Sequence, residues 1–373
     1  MNIGLEIGGG QNFIMKTIIN NSLLNWNEIE NQYWAKEMKK CMQEYDYHGE
    51  GDVYTHTKMV VDELMKISDF QKLDNDSKDI TLLASLFHDI GKPKTTIIEN
   101  NKISSPKHSQ FGEGLAREIL WDYDFYKRES ICSIVRLHGL PVWSINKSDA
   151  IKKVILSSLR VKNELLYLVS KADMLGRICN DMDSLVFNVE LFKELSLDNE
   201  CFYNEKSFYN SHSKFKYFDS DELYPPQIYD STEFEITILS GLPGSGKDTY
   251  ASQFDLPIVS LDDLRIKYKV KRGDKKGESK VIKEAYDIAK SYCRKKQSFI
   301  WNSTNITYDM RSRVINNLKV YNPKINIVYL ETSLENIRQR RENEINYDSL
   351  YRMFKMLDIP QKSEAHSVVY IRH

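Results

Sequence analysis

The chain has 373 residues, 28% of them charged, with a formal net charge of −1. That length exceeds one ordinary hydrophobic core and predicts two domains, while the near-neutral charge excludes a polycation, so any nucleic-acid binding must use a local basic groove. Five cysteines, odd in number and without a C-x-x-C spacing, predict a reduced, cytoplasmic protein, and no apolar run approaches the length of a membrane span.

Residues 1–27 read as a leader, with Gly8, Gly9 and Gly10 conferring flexibility and Met15 an alternative start. From about Glu28 to Leu195 apolar residues recur at three and four, which predicts an all-α domain over 28–198. Val60, Leu64 and Ile67 form one stripe, and Leu165, Leu168, Val169 and Ala172 another. Gly91-Lys92-Pro93 and Gly139-Leu140-Pro141 punctuate the joins. Asp52 is placed to cap the helix that begins after it, and His48 and Glu50 just before it are candidates for the mouth of a site.

Polar residues interrupt this pattern in the order H…HD…H…H…D. His56 lies on an early helix, His88 and Asp89 close the apolar run 82–87, His108 and His138 fall in polar or turn-like contexts, and Asp173 sits on a later helix. Any one such histidine alone reads as a hydrogen-bonded core or surface residue. Together, imidazoles and carboxylates on facing helices suit transition metals such as Mn²⁺, Fe²⁺, Co²⁺, Ni²⁺ or Zn²⁺ rather than Ca²⁺. Asp89 has two oxygens for two ions, and a pair of ions can hold a phosphate ester for in-line attack.

The runs HDIGKPKT, KHSQFGEG, LHGLP and KAD resemble the HD-domain metal phosphohydrolases over most of residues 50–175. That resemblance implies His56, His88, Asp89 and Asp173 as core ligands of Mn²⁺, Ni²⁺ or Co²⁺, with His108 and His138 completing a second metal position. Lys92 and Arg177 then read either as groups beside the scissile phosphate or as solvated loop cations.

Between 199 and 231 regular periodicity stops and Pro225-Pro226 blocks helix continuation, so this stretch reads as the linker. Phe215, Lys216 and Tyr217 within it read as packing between domains or as a nucleic-acid contact.

From 232 to 373 short apolar runs alternate with helical patterns. Strands are expected at 234–240, 257–260, 299–301 and 325–330, with helices near 279–295 and 310–318, which predicts an α/β domain with a parallel sheet. At the first strand-to-helix junction stands GLPGSGKDT, the pattern G-x-x-x-x-G-K. Gly241, Gly244 and Gly246 let backbone N–H groups around Ser245 turn towards phosphate oxygens, Lys247 reaches the β- and γ-phosphates of a nucleotide, and the following helix adds its positive end. Asp248 stands where Ser or Thr ordinarily meets Mg²⁺; either Thr249 takes that role or the Asp248 carboxylate binds the metal itself.

Ser260-Leu261-Asp262-Asp263-Leu264-Arg265 follows the second strand. Asp262 can accept a proton from an attacking hydroxyl, and Arg265, three residues on, can hold the acceptor. Asn302-Ser303-Thr304-Asn305 follows the third strand and carries no carboxylate there, which points back to Asp248 as a displaced metal-binding group. The helix bearing Arg338-Gln339-Arg340-Arg341 supplies a candidate lid arginine.

GLPGSGKDT, SLDDLR, STN and the arginine-rich helix together resemble the 5′-OH polynucleotide kinases. The resemblance implies ATP or another NTP with Mg²⁺ as donor, Asp262 as general base, Arg265 on the acceptor phosphate, Lys247 on the donor, and Arg340 as lid arginine (a one-residue gap chooses Arg341). An HD phosphohydrolase followed by such a kinase resembles the bacterial fused end-healing enzymes over nearly the whole chain. That implies removal of 2′,3′-cyclic, 2′- or 3′-phosphate at one RNA or DNA end, phosphorylation of a 5′-OH at the other, and a nucleic-acid ligase acting afterwards. Two other readings remain: an HD nucleotidase joined to a nucleoside-type kinase, and a non-catalytic nucleotide-gated regulator.

Overall fold

The computed structural model describes residues 17–271, 273–340 and 346–372. Gly8 to Gly10, Met15 and Arg341 lie outside them. The chain divides into two compact units, Met1–Ser207 and Phe208–His373. No helix among the described residues is long and apolar enough to cross a membrane.

The first unit is helical. Residues 17–27, expected in a leader, form a hairpin of Ile19–Asn20 with Leu23–Leu24 and run into a helix at Trp26–Asn31; Ile18 is fully buried. The helices that carry the site are α1 (Val53–Lys66), α2 (Asn75–Phe87), α3 (His108–Ile119), α4 (Phe125–Leu137), α5 (Asn163–Leu175) and α6 (Met182–Asp198). Asp52 caps α1 as its position predicted, accepting the N–H groups of Tyr54 and Thr55 at 2.9 Å each. Helix α5 packs against α1 and α2 and buries Leu165, Leu168, Val169 and Ala172, the stripe read from the sequence.

One element of this unit departs from the helical expectation. Ile97–Glu99 pairs antiparallel with Lys102–Ser104. Asn100 and Asn101 turn the chain between them with φ of 51° and 59°, a conformation asparagine tolerates better than most residues.

The second unit begins inside the expected linker. Helix α7 (Ser211–Phe218) is capped by Asn210, whose side-chain oxygen accepts the Ser213 N–H at 2.7 Å. Phe215 stacks on the His366 ring at 4.4 Å, and the Tyr217 hydroxyl donates to the Leu223 carbonyl at 2.9 Å. Both aromatic rings are buried in this unit's own core, which corrects their reading as a nucleic-acid surface.

Its sheet contains β1 (Glu235–Ser240), β2 (Ile258–Ser260), β3 (Phe299–Asn302), β4 (Lys324–Glu331) and β5 (Ser367–Arg372). The order is β2-β3-β1-β4-β5 and every pairing is parallel. After α7 this unit's described α-helices are α8 (Lys247–Ala251), α9 (Leu261–Tyr268), α10 (Lys275–Arg294), α11 (Tyr308–Leu318), α12 (Leu334–Arg340) and α13 (Tyr347–Lys355). Ile236, Ile238 and Trp301 face Val281, Ala285 and Ala289 of α10 and Val314 of α11; Leu239, Ile300 and Val328 bury Ala251 of α8 on the other side. A sheet covered on both faces explains why these strands read as apolar runs.

Strand β5 was not expected. It pairs with β4, and the segment leading into it is anchored by Arg311 of α11, which is fully buried and donates from Nε and Nη2 to Glu364 at 2.7 and 2.9 Å and from Nη1 to the Asp358 carbonyl at 2.8 Å. Because all five strands run the same way, the segments after β1, β2 and β3 leave the same edge of the sheet.

Candidate functional site

In the first unit, four imidazoles and two carboxylates converge. His56 comes from α1, His88 and Asp89 from the end of α2, His108 from the start of α3, His138 from the end of α4 and Asp173 from α5. His56 Nε2 lies 3.1 Å from Asp173 Oδ1 and 3.4 Å from His88 Nε2. His108 Nε2 lies 3.4 Å from His138 Nε2. Asp89 stands between the two groups. Its Oδ2 is 3.3 Å from His88 Nε2 and 3.9 Å from His56 Nε2, and its Oδ1 is 3.4 Å from His108 and 3.9 Å from His138.

The other ring nitrogen of each histidine decides what these contacts mean. His88, His108 and His138 place Nδ1 at 2.7, 2.8 and 2.9 Å from the carbonyls of Ser85, Ser105 and Val135, and His56 Nδ1 lies 2.7 Å from Glu50 Oε1. A carbonyl or carboxylate accepts, so each Nδ1 carries the proton and each Nε2 presents a bare lone pair. Two such pairs of bare nitrogens, each 3.4 Å apart, repel unless a cation lies with them. Both Asp89 oxygens are also buried without a well-directed hydrogen bond, although Lys92 Nζ stands 2.7 Å from Oδ2. Nitrogen and carboxylate donors in this arrangement fit two divalent transition ions.

Burial works to raise the Asp89 carboxyl, but the Lys92 ammonium beside it outweighs burial and holds the group well below the usual carboxylate range. Asp173 is likewise pushed up by burial and pulled further down by Arg177, which forks onto it at 2.9 to 3.1 Å. Lys92 is buried and donates to Gln43 Oε1 at 2.6 Å, so neither cation is the solvated loop group that one reading allowed. Gly91 permits this placement: a Cβ there would lie 2.1 Å from the His108 carbonyl oxygen.

A cavity of about 580 Å³ opens onto Asp89, Lys92, His108, His138 and Arg177, and His48 lines it too. Glu50 instead sits behind the ligands. It holds His48 and His56 at 2.8 and 2.7 Å and accepts the Ile178 N–H at 3.0 Å. No spacing in the sequence marks it as the partner of His56, because the contact is made by a turn folding back over α1.

In the second unit the phosphate loop runs from β1 into α8. Gly244 and Gly246 have φ of 83° and 94°. A Cβ at Gly241 would lie 2.4 Å from the Leu330 carbonyl oxygen and 2.6 Å from Ser245 Oγ, an atom buried without a hydrogen-bond partner. Lys247 Nζ donates to the carbonyls of Gly241 and Leu242 at 2.9 and 2.8 Å. A glycine-lined loop with an unsatisfied hydroxyl and a lysine folded over it fits a nucleotide's phosphates. Thr249 is exposed on α8, a helix of five residues.

The segment after β3 docks this loop. Asn305 Nδ2 donates to the Leu239 carbonyl at 2.7 Å, and the Gly241 N–H donates to the Thr304 carbonyl at 2.9 Å. At the strand end, Asn302 Nδ2 donates to Asp248 Oδ1 at 2.7 Å. After β2, the Asp262 side chain is 80% exposed and accepts from Arg265 Nη1 at 2.6 Å. Glu278 of α10 grips the other side of that guanidinium at 2.9 and 3.0 Å and, with Asp262, raises it above its ordinary range. The sequence reading missed Glu278, which is brought to Arg265 from thirteen residues away. Arg340 of α12 donates to the Gly244 carbonyl at 3.3 Å, beside the loop; Arg341 lies outside the described residues.

Residues 53–184 match the model of the HD domain, and residues 236–345 match a model described as an AAA domain. Among solved structures, a "putative kinase" from Chloroflexus aurantiacus j-10-fl is similar at 19% identity over 38% of this chain and 86% of that chain, with a TM-score of 0.33.

Proposed function

From a helical HD domain joined in one chain to an α/β P-loop domain, we propose an enzyme that heals broken nucleic-acid ends. The HD domain removes 2′,3′-cyclic, 2′- or 3′-phosphate, and the P-loop domain transfers the γ-phosphoryl group of ATP or another NTP to a 5′-OH of RNA or DNA. The observation that supports this most is the exposed Asp262–Arg265 pair on the phosphate-loop edge of the sheet: a nucleotide-gated regulator has no use for a base beside an acceptor-binding cation. The products are the two ends a ligase joins. Five free cysteines suit a reducing cytoplasm.

In the HD domain, His56, His88, Asp89 and Asp173, with His108 and His138, would hold divalent ions. When bound, these supply a nucleophile and neutralise phosphoryl charge. Lys92 places its ammonium at the cavity floor, where it meets a phosphoryl oxygen, and Arg177 keeps Asp173 ionised and oriented. In the P-loop domain, Lys247 and the loop N–H groups hold the donor phosphates, whose charge Mg²⁺ shares. Asp262 takes the proton of the acceptor hydroxyl as its oxygen bonds to the γ-phosphorus and the β–γ bridge breaks. Arg265, braced by Glu278, holds the acceptor's phosphate, and Arg340 approaches the loop as the lid cation.

Transfer of label from γ-³²P-ATP should favour a 5′-OH oligonucleotide strongly over free nucleosides, and the same preparation with Mn²⁺ or Ni²⁺ should open a terminal 2′,3′-cyclic phosphate. Preference for free nucleosides would favour a metabolic kinase instead.

Asp248 would take over the metal role of the absent strand-end carboxylate: the acid has been exchanged from the strand end into the loop position where Ser or Thr ordinarily stands, and Asn302 at the strand end orients it. Asp248→Ser should raise the Mg²⁺ requirement of ATP binding while leaving metal-free nucleotide binding unchanged, as read by calorimetry. Full Mg²⁺-dependent binding and activity in that variant would refute the exchange.

A further inference from the structure

We propose that Trp143 and Tyr47 form a stacking rim for the nucleobase next to the phosphate processed in the HD domain, with Arg136 holding the adjoining backbone phosphate. The proposal rests on the reading of that domain as acting on nucleic-acid ends.

A phosphoryl group alone would occupy only a small part of a cavity of about 580 Å³, which is in the range that holds a nucleotide-sized ligand. Its floor includes Asp89, His108, His138 and Asp173, and its lining includes Tyr47, Arg136 and Trp143. The two rings are large apolar surfaces left in water, with Trp143 59% and Tyr47 55% exposed. Residues of this kind beside a guanidinium match the π-face of a base and the charge of its phosphate.

The backbone that carries each ring is held by local hydrogen bonds. Trp143 ends the short helix Leu140–Trp143, five residues after His138, and its backbone N–H donates to the Gly139 carbonyl at 3.1 Å. A Cβ on Gly139 would lie 3.3 Å from Trp143 Cδ1 and 3.7 Å from Nε1, so that glycine makes room for the indole edge. Tyr47 stands on a turn closed by its own N–H to the Glu44 carbonyl at 3.1 Å, and Glu44 Oε2 accepts the Ile103 N–H at 2.7 Å.

Arg136 shares its carboxylate partner with other guanidiniums. Its Nε lies 3.5 Å from Glu113 Oε2, but Arg117 and Arg160 stand closer to that same carboxylate, at 2.9 and 3.0 Å. Glu129 is shared in turn by Arg117 and Arg128. Arg136 thus shares Glu113 with two nearer guanidiniums, and its own charge lines the cavity. An anionic ligand at that wall neutralises it.

The test compares full-length protein with Mn²⁺ on 2′,3′-cyclic AMP and on glycerol 1,2-cyclic phosphate, which presents the same ester without a base. Trp143→Ala should raise KM for the cyclic nucleotide roughly ten- to a hundredfold, with kcat near wild type, and leave the glycerol ester unchanged. Trp143→Phe should recover most of the loss. Without metal, 5′-AMP should quench tryptophan fluorescence in the wild type and not in Trp143→Ala. Equal KM values for the cyclic nucleotide in both proteins, or equal losses on both substrates, would overturn the stacking rim while the phosphoesterase reading stands. A wild-type protein that opens neither ester would overturn both.

Discussion

Asp89→Asn should abolish phosphate-ester hydrolysis by the HD domain while leaving phosphoryl transfer to a 5′-OH intact. The substitution keeps the volume of the side chain but replaces one acceptor oxygen by an amide donor. Asp89 is the residue whose two oxygens address both ligand groups, so one metal position loses its shared ligand and the other its charge. Buried Lys92 also loses the carboxylate at 2.7 Å that balances its ammonium. Each ion contributes several kcal/mol to the stabilisation of charge on a phosphoryl group, so the activity should fall on the order of a thousandfold or more. Metal analysis after dialysis should show fewer ions per chain than in the wild type. An Asp89→Asn protein that keeps its metals and its hydrolysis would remove the basis for a bridged pair.

Asp262→Ala should cost phosphoryl transfer about 10²- to 10⁴-fold in kcat, the span expected for a lost general base, with nucleotide affinity unchanged. The structure makes this variant unusually clean. Arg265 would lose its 2.6 Å contact with Asp262, yet Glu278 still holds it through two contacts, so the acceptor-binding cation stays in place. Asp262 itself is largely exposed, so its removal leaves no buried partner unsatisfied. Glu278→Gln should act differently, weakening acceptor binding and raising KM for the oligonucleotide while sparing kcat. Unchanged turnover in Asp262→Ala would assign the proton to another group and return the nucleotide-gated regulator to consideration.

The contrast between Asp262 and Glu278 shows what could be read in advance. Asp262 and Arg265 are three apart on one helix, a local spacing that places both side chains on one face. Glu278 reaches the same guanidinium only because α10 crosses α9, and no local pattern encodes that crossing. Arg311 makes the same point. On α11 it reads as one more helix charge, yet it is fully buried against Glu364, fifty-three residues later, in the segment that leads into β5. Helix α7 escaped notice for a related reason. Its first four residues are polar and its aromatics fall only in the last turn, and its place in the core depends on Phe215 meeting His366 near the other end of the chain.

Sequence alone determined the helical character of the HD half and the strand–glycine loop–helix junction, because each follows from periodicity or spacing within a few residues; the imidazoles and carboxylates stood out by their order along the chain and by the resemblance of the runs that carry them to a known family. Tertiary structure alone decided that each of those histidines turns its Nδ1 to an acceptor and its bare Nε2 inwards, that the two Asp89 oxygens face different pairs of rings, and that Glu50 stands behind His56 rather than at the mouth. Those outcomes depend on directions between helices that are distant in the chain. A lone pair's direction is set by the packing around the ring that bears it.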